Sequence, residues 1–187
     1  NQNQVVTLSL VNADMSQLQG IDTLPYAYHY FIGNNVDTWI TNVQNFRKIQ
    51  YKEVYPGIDL LYFYDKENPK YEFYVKPGVN PNQIQFRVEG GSLSISRDSS
   101  TLQMNTESGS LSDTSLQVFT QESRQPIQAS FKLVGENIYS FSITDYTAED
   151  AIVIDPILYG TYLGGNSDDA VLGQALDSYG NLVVTGF

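Results

Sequence analysis

Tyr71-Glu72-Phe73-Tyr74-Val75-Lys76-Pro77-Gly78, followed by Ile84-Gln85-Phe86-Arg87-Val88, sets the reading of this chain. Both runs alternate with period two. In the second, Ile84, Phe86 and Val88 face one way while Gln85 and Arg87 face the other, as in a half-buried strand. The Pro77-Gly78 pair between the runs ends the first by withdrawing a ladder donor and freeing the backbone to turn. The same pattern continues outward. Residues 58–64 form a denser apolar run suited to a central strand, and residues 26–33 and 46–53 read as strands before it. At 5–11, Val5, Thr7, Ser9 and Val11 share one face, and Val6, Leu8 and Leu10 the other. Leu93-Ser94-Ile95 and Leu102-Gln103-Met104 flank Arg97-Asp98-Ser99-Ser100 as a hairpin. Runs at 116–120, 129–134 and 138–143 continue the meander, the last two joined through Gly135-Glu136-Asn137. Helical periodicity is weak, with room for one short turn at 12–19. Pro25, Pro56, Pro69, Pro77, Pro81, Pro126 and Pro156 are expected between strands. The expected fold is all-β: an antiparallel β-sandwich-like domain over residues 1–156.

Composition agrees. Hydrophobic residues make up 41% and charged residues 17% of 187 residues, with 14 Tyr and 9 Phe. That mixture favours strands, and the length allows a sizeable core. The net charge of −11 leaves no basic footprint for nucleic acid and is repelled by an anionic membrane surface. No run of eighteen apolar residues is present, so no membrane insertion by a helix is expected. The lack of cysteine excludes a disulfide framework and thiolate metal sites. No signal peptide is visible, since residue 1 is not Met and no basic leader precedes an apolar run.

The end of the chain carries a second pattern. Tyr159-Gly160-Thr161-Tyr162-Leu163-Gly164-Gly165-Asn166-Ser167-Asp168-Asp169 is followed by Ala175-Leu176-Asp177-Ser178-Tyr179-Gly180-Asn181-Leu182-Val183-Val184-Thr185-Gly186. This resembles one unit of the bacterial β-propeller repeat called SBBP. Upstream, Tyr30-Phe31-Ile32-Gly33-Asn34 with Trp39, then Val54-Tyr55-Pro56-Gly57-Ile58-Asp59-Leu60, resembles the domain of unknown function that precedes SBBP repeats. So do Tyr71–Gly78 (in part, at Tyr74), Ile84–Gly90 and Ile152-Val153-Ile154-Asp155-Pro156. The resemblance implies an exported bacterial protein whose residues 157–187 are a single, truncated propeller blade unit, joined near Asp155-Pro156. Family members begin with further strands, whereas this chain opens at Asn1-Gln2-Asn3-Gln4. The expectation is that the front was removed or that a partner chain supplies it.

Candidate chemistry is sparse. Asp168, Asp169, Asp177 and Asn181 cluster oxygens as a calcium loop would, but the EF-hand spacing is absent, and turn hydrogen bonds account for them more simply. His29 is the one histidine, which excludes a multi-histidine zinc site. Among tyrosines on a strand it reads as structural before catalytic. No nucleophile elbow, P-loop or Rossmann fingerprint occurs, and no cofactor is expected. Glu149-Asp150 and Asp168-Asp169 would point to opposite strand faces and could not flank one bond. Asp59, set among Ile58, Leu60 and Leu61, is a candidate for a perturbed carboxyl but reads first as a hydrogen-bonded residue after the Pro56-Gly57 turn. Trp39, Tyr55 and Asp59 are the candidate ligand-binding residues, Trp39 and the tyrosines as a sugar-stacking platform.

These readings give three expectations. The first is a noncatalytic extracellular or cell-surface structural or adhesion module at the front of a larger secreted propeller-repeat protein. It would bind the rest of its own chain, or identical subunits through strand edges at 5–11 or 182–185. The second is a carbohydrate-binding module, which needs several aromatics in one exposed row. The third is an acidic-residue hydrolase, which needs two carboxylates across a cleft.

Overall fold

The computed structural model describes residues 5–65, 68–106, 109–114, 116–156, 171–176 and 182–186. Two antiparallel sheets pack face to face. The larger runs in the order β11 (Pro126–Ile127), β10 (Gln117–Thr120), β14 (Ile152–Asp155), β5 (Asn68–Val75), β4 (Ile58–Asp65), β3 (Ile40–Tyr55) and β2 (Leu18–Tyr30). The smaller runs β1 (Thr7–Leu10), β6 (Gln85–Glu89), β13 (Ile138–Ile143) and β12 (Ala129–Gly135). A third sheet, β7 (Ser92–Ile95), β8 (Leu102–Thr106) and β9 (Gly109–Asp113), adds Leu102 and Met104 to the same core. The architecture is all-β, antiparallel and sandwich-like. Strands β15 (Val171–Leu176) and β16 (Leu182–Gly186) pair antiparallel with each other.

Alternation delivers the core. Ile84, Phe86 and Val88 point inward from the β6 run, and Leu60, Phe73 and Ile154 answer from the larger sheet. Val6, Leu8 and Leu10, which share one face in the sequence pattern, pack on this core from the edge strand β1 and the residue before it. Aromatic rings bridge the layers: Phe86 lies 5.9 Å from Phe73 and stacks on Tyr139 at 5.0 Å, and Phe141 lies 6.1 Å away. Gly90 closes the turn after β6 with φ +84, where a side chain would stand 2.0 Å from the Val5 carbonyl oxygen. At the far end of β14, Lys70 Nζ donates to Asp155 Oδ2 at 2.7 Å, joining that strand to β5 below a largely buried surface.

Three local readings are corrected. Residues 12–19 hold no helix turn. Asn12 takes a left-handed φ of 58°, Asp14 accepts the Ser16 amide, and the chain enters β2 at Leu18. Pro25, Pro69 and Pro126 lie inside strands rather than between them. Each escapes the cost of a missing donor by position: Pro25 and Pro126 are on edge strands, and Pro69 pairs with Tyr64 beyond the reach of β14. Glu149-Asp150 occupies a turn, not a strand, and Asp150 Oδ2 accepts from the Thr147 amide and hydroxyl. Among the described residues no helix is long and apolar enough to cross a membrane.

The shared aromatic contact predicts a large response to truncation. Phe86→Ala is expected to lower unfolding stability by about 3–5 kcal/mol, read from the midpoint of urea unfolding.

Candidate functional site

Most of this chain's apolar surface is spent inside the sandwich, but one element spends it outside. The last pair between β3 and β4 is Lys48 with Phe63. Beyond it, among the described residues, β3 pairs only with β2, and β2 has no other neighbour. Residues 22–48 therefore form a two-stranded arm, roughly 25 Å past the sheet at about 3.3 Å per residue of β3. Alternation places Tyr26, Tyr28 and Tyr30 in one row, with ring centroids 6.0 and 6.4 Å apart. His29, Phe31 and Trp39 form another: His29 stacks on Phe31 at 5.9 Å, and Trp39 meets it edge-on at 5.0 Å. Tyr28 is 53%, Phe31 61% and Ile32 73% exposed.

Side chains hold the arm's irregular points. Asn42 takes a φ of 58° at a register shift, and its amide donates to His29 Nδ1 at 3.2 Å. Asn45 Nδ2 donates to the Tyr26 carbonyl at 3.2 Å beside the longer shift around Pro25. At the tip, Gly33 turns with φ +75 and Asn35 Oδ1 accepts the Asp37 amide. Trp39 Nε1 donates to the Gly33 carbonyl at 3.2 Å, so its ring closes the tip.

A groove of about 450 Å³ crosses the larger sheet from Ile21, at the arm's foot, past Gln50, Asp59 and Leu61 to Pro77 and Gln121. Several polar groups in and beside it are hydrogen-bonded. Asp59 Oδ1 accepts the Glu53 amide at 2.8 Å and Oδ2 accepts Gln50 Nε2 at 3.1 Å. Lys76 Nζ donates to Glu53 Oε1, and the Gly57 amide donates to Glu53 Oε2 at 2.6 Å. These two bonds, the lysine's first, hold the Glu53 carboxyl below its ordinary pKa. Tyr74, also in the groove, donates its hydroxyl to the buried Glu72 at 2.6 Å, and burial foremost pushes its pKa up.

The sequence candidates are not brought together. Trp39 is on the arm and Asp59 in the groove. Tyr55 is buried in the core, its hydroxyl donating to the Val11 carbonyl at 2.9 Å and its pKa pushed up to about 12 by burial. Asp168, Asp169, Asp177 and Asn181 lie outside the described residues. Among the described residues no group of three or more His, Asp or Glu could hold a metal ion. Sequence reading caught the tyrosine row at 26–30 as a strand. What it missed was that this strand leaves the sheet, because pairing range is not written in either strand alone.

A family model described as a domain of unknown function (DUF7948) matches residues 1–157. The chain belongs to this family. No curated protein and no solved structure matches it.

Glu53, bonded to Lys76 beside the groove, makes the structure there sensitive to acid. With its folded-state pKa below the ordinary 4.5, its contribution is fully present above about pH 4.5 and is lost as pH falls through the folded value. Urea midpoints measured from pH 6 down to 3 should fall in the wild type, and Glu53→Gln should flatten the upper part of that decline.

Proposed function

We propose that this domain is a noncatalytic extracellular or cell-surface module with a structural or adhesive role. Its recognition element is the arm at residues 22–48. One observation carries the reading: a two-stranded ribbon with exposed aromatics on both faces stands clear of the sandwich. Isolated hairpins are marginally stable in water, so the arm gains stability when a partner covers it. Apolar surface of this kind marks an interaction site.

The resemblance of residues 159–186 to an SBBP unit supports a place at the front of a larger, secreted propeller-repeat protein. The antiparallel pairing of β15 with β16 is compatible with neighbouring strands of a blade. Strand β1 lies at a sheet edge and offers a second assembly surface, by strand addition.

A carbohydrate-binding reading has the row Tyr26, Tyr28 and Tyr30 in its favour. The ring planes, however, are inclined by 78° and 47° along that row. Flat sugar faces stack on coplanar rings, so this row suits side chains of a protein partner better.

Replacing residues 24–45 with a two-residue turn tests the adhesive role. The sandwich should keep its β-sheet circular dichroism, and cells displaying the variant should attach severalfold less. Unchanged attachment would overturn the reading. Glycan binding retained by wild type and lost in Tyr28→Ala would favour the carbohydrate alternative.

A further inference from the structure

Among the described residues, Glu72, Asp113 and Asp155 are the buried acidic groups. Two of them share one site on the outer face of the larger sheet. By alternation Tyr71 and Phe73 of β5 point into the core, and Lys70, Glu72 and Tyr74 point the other way. Ile154 pairs with Phe73, so Asp155 of β14 comes opposite Glu72 one step further on. We propose that Lys70 and Asp155 are a self-reacting pair that condenses to an isopeptide bond, with Glu72 carrying the protons. The bond staples β5 to β14. It forms once per chain, so the module remains noncatalytic, and it does not depend on the arm.

Four observations carry it. First, the separation is that of reactants. Lys70 Nζ lies 2.7 Å from Asp155 Oδ2, which sets it about 3.5 Å from the carboxyl carbon, the range of a near-attack pair. The two side chains are only 17% and 5% exposed.

Second, the ion pair is incompletely satisfied. Asp155 Oδ1 is buried and has no hydrogen-bond partner among the described residues. A buried charge pair repays its desolvation only when its remaining lone pairs are also bonded. Condensation removes both charges and leaves one neutral carbonyl.

Third, a proton carrier is at hand. Glu72 is two residues from Lys70 on one strand face and across the ladder from Asp155. Tyr74 donates its hydroxyl to Glu72 Oε2 at 2.6 Å and so fixes that carboxyl in place.

Fourth, the surroundings favour this reaction over others. Phe63, the cross-strand partner of Lys70, sets its ring 6.0 Å from Nζ and gives the amine an apolar wall. Asp155 precedes Pro156, whose nitrogen carries no hydrogen. The carboxyl therefore cannot close on the next amide as a succinimide.

The step balances without an oxidant or a co-reactant. Glu72 takes one proton from the Lys70 ammonium, and the neutral amine attacks Asp155 Cγ. The N–C bond forms, and one carboxyl oxygen, protonated by Glu72, breaks away. A second proton passes from the nitrogen to that oxygen, which leaves as water. Ammonium and carboxylate have become one amide, and Glu72 ends as it began. The partners are 85 residues apart, so the link closes a long loop and restrains the unfolded chain as a disulfide does. A chain without cysteine has no disulfide with which to do this.

Intact mass spectrometry of the folded 187-residue chain is the direct test. The wild type should weigh one water less than its sequence, and digestion should yield a branched peptide joining Lys70 to Asp155. Lys70→Arg keeps the positive charge without the nucleophilic amine and should show its full sequence mass. Asp155→Asn should lose ammonia in place of water. Glu72→Gln, with its β-sheet circular dichroism retained, should stay at full mass when the wild type has reacted completely. A folded wild type at full sequence mass after prolonged incubation would overturn the proposal, whether or not the variants fold. So would a water loss mapped to any other pair of residues, or one that persists in Lys70→Arg. Crosslinking of Glu72→Gln to the wild-type extent would overturn the role given to Glu72.

Discussion

Phe86 is where the two layers of the sandwich are held together. Its ring stacks on Tyr139 within its own sheet and meets Tyr71 and Phe73 from the sheet opposite. Sheet-on-sheet packing leaves about 10 Å between layers, a gap that interdigitating side chains must fill without voids. Rings fill it efficiently, and edge-to-face contacts add to the burial term. The other strands depend on that contact: β5 carries Tyr71 and Phe73, β13 carries Tyr139 and Phe141, and β14 is registered on β5. Burial raises the Tyr71 phenol well above its ordinary pKa, with Tyr139 and Asp113 as further causes, and it stays neutral at physiological pH.

The arm follows the opposite physics. Strands β2 and β3 are ordinary members of the larger sheet over part of their length and run on past the point where the ladder between β3 and β4 ends. Past that point no second layer among the described residues covers the ribbon, and its hydrogen bonds and cross-strand pairs hold it. The polar side chains there do local work. His29 and Asn45 satisfy backbone groups at the two register shifts, and Trp39 ties the tip. Aromatics that would be core elsewhere are left facing water on both sides. A domain otherwise thrifty with its apolar surface has here built a neutral, sticky projection on an acidic body.

Much of the sandwich was legible because alternation is a local signal. Ile84, Phe86 and Val88 share one face whatever they pack against, and the same holds for Val6, Leu8 and Leu10. Proline was the weaker guide. The penalty for Pro25 or Pro69 depends on whether a strand lies on the side of the missing donor, and that is a tertiary fact. The site was harder to read. Tyr55 and Asp59 are four residues apart yet serve in different places, the first under the core and the second on the groove's wall. The tyrosines at 26–30 and those at 51 and 55 look alike in the sequence, and only the end of the ladder between β3 and β4 separates the exposed group from the buried one.

By itself, then, the sequence determined the all-β class, the two faces of the runs at 5–11 and 84–88, and the acidic, cysteine-free character of the chain. These follow from period-two chemistry and from charges that need no partner to be counted. The tertiary structure decided which strands are edges, where the ladder between β3 and β4 ends, and hence which aromatics become core and which become an arm. Those choices arise from the lengths of strands distant in sequence, and a strand carries no mark of where its neighbour stops.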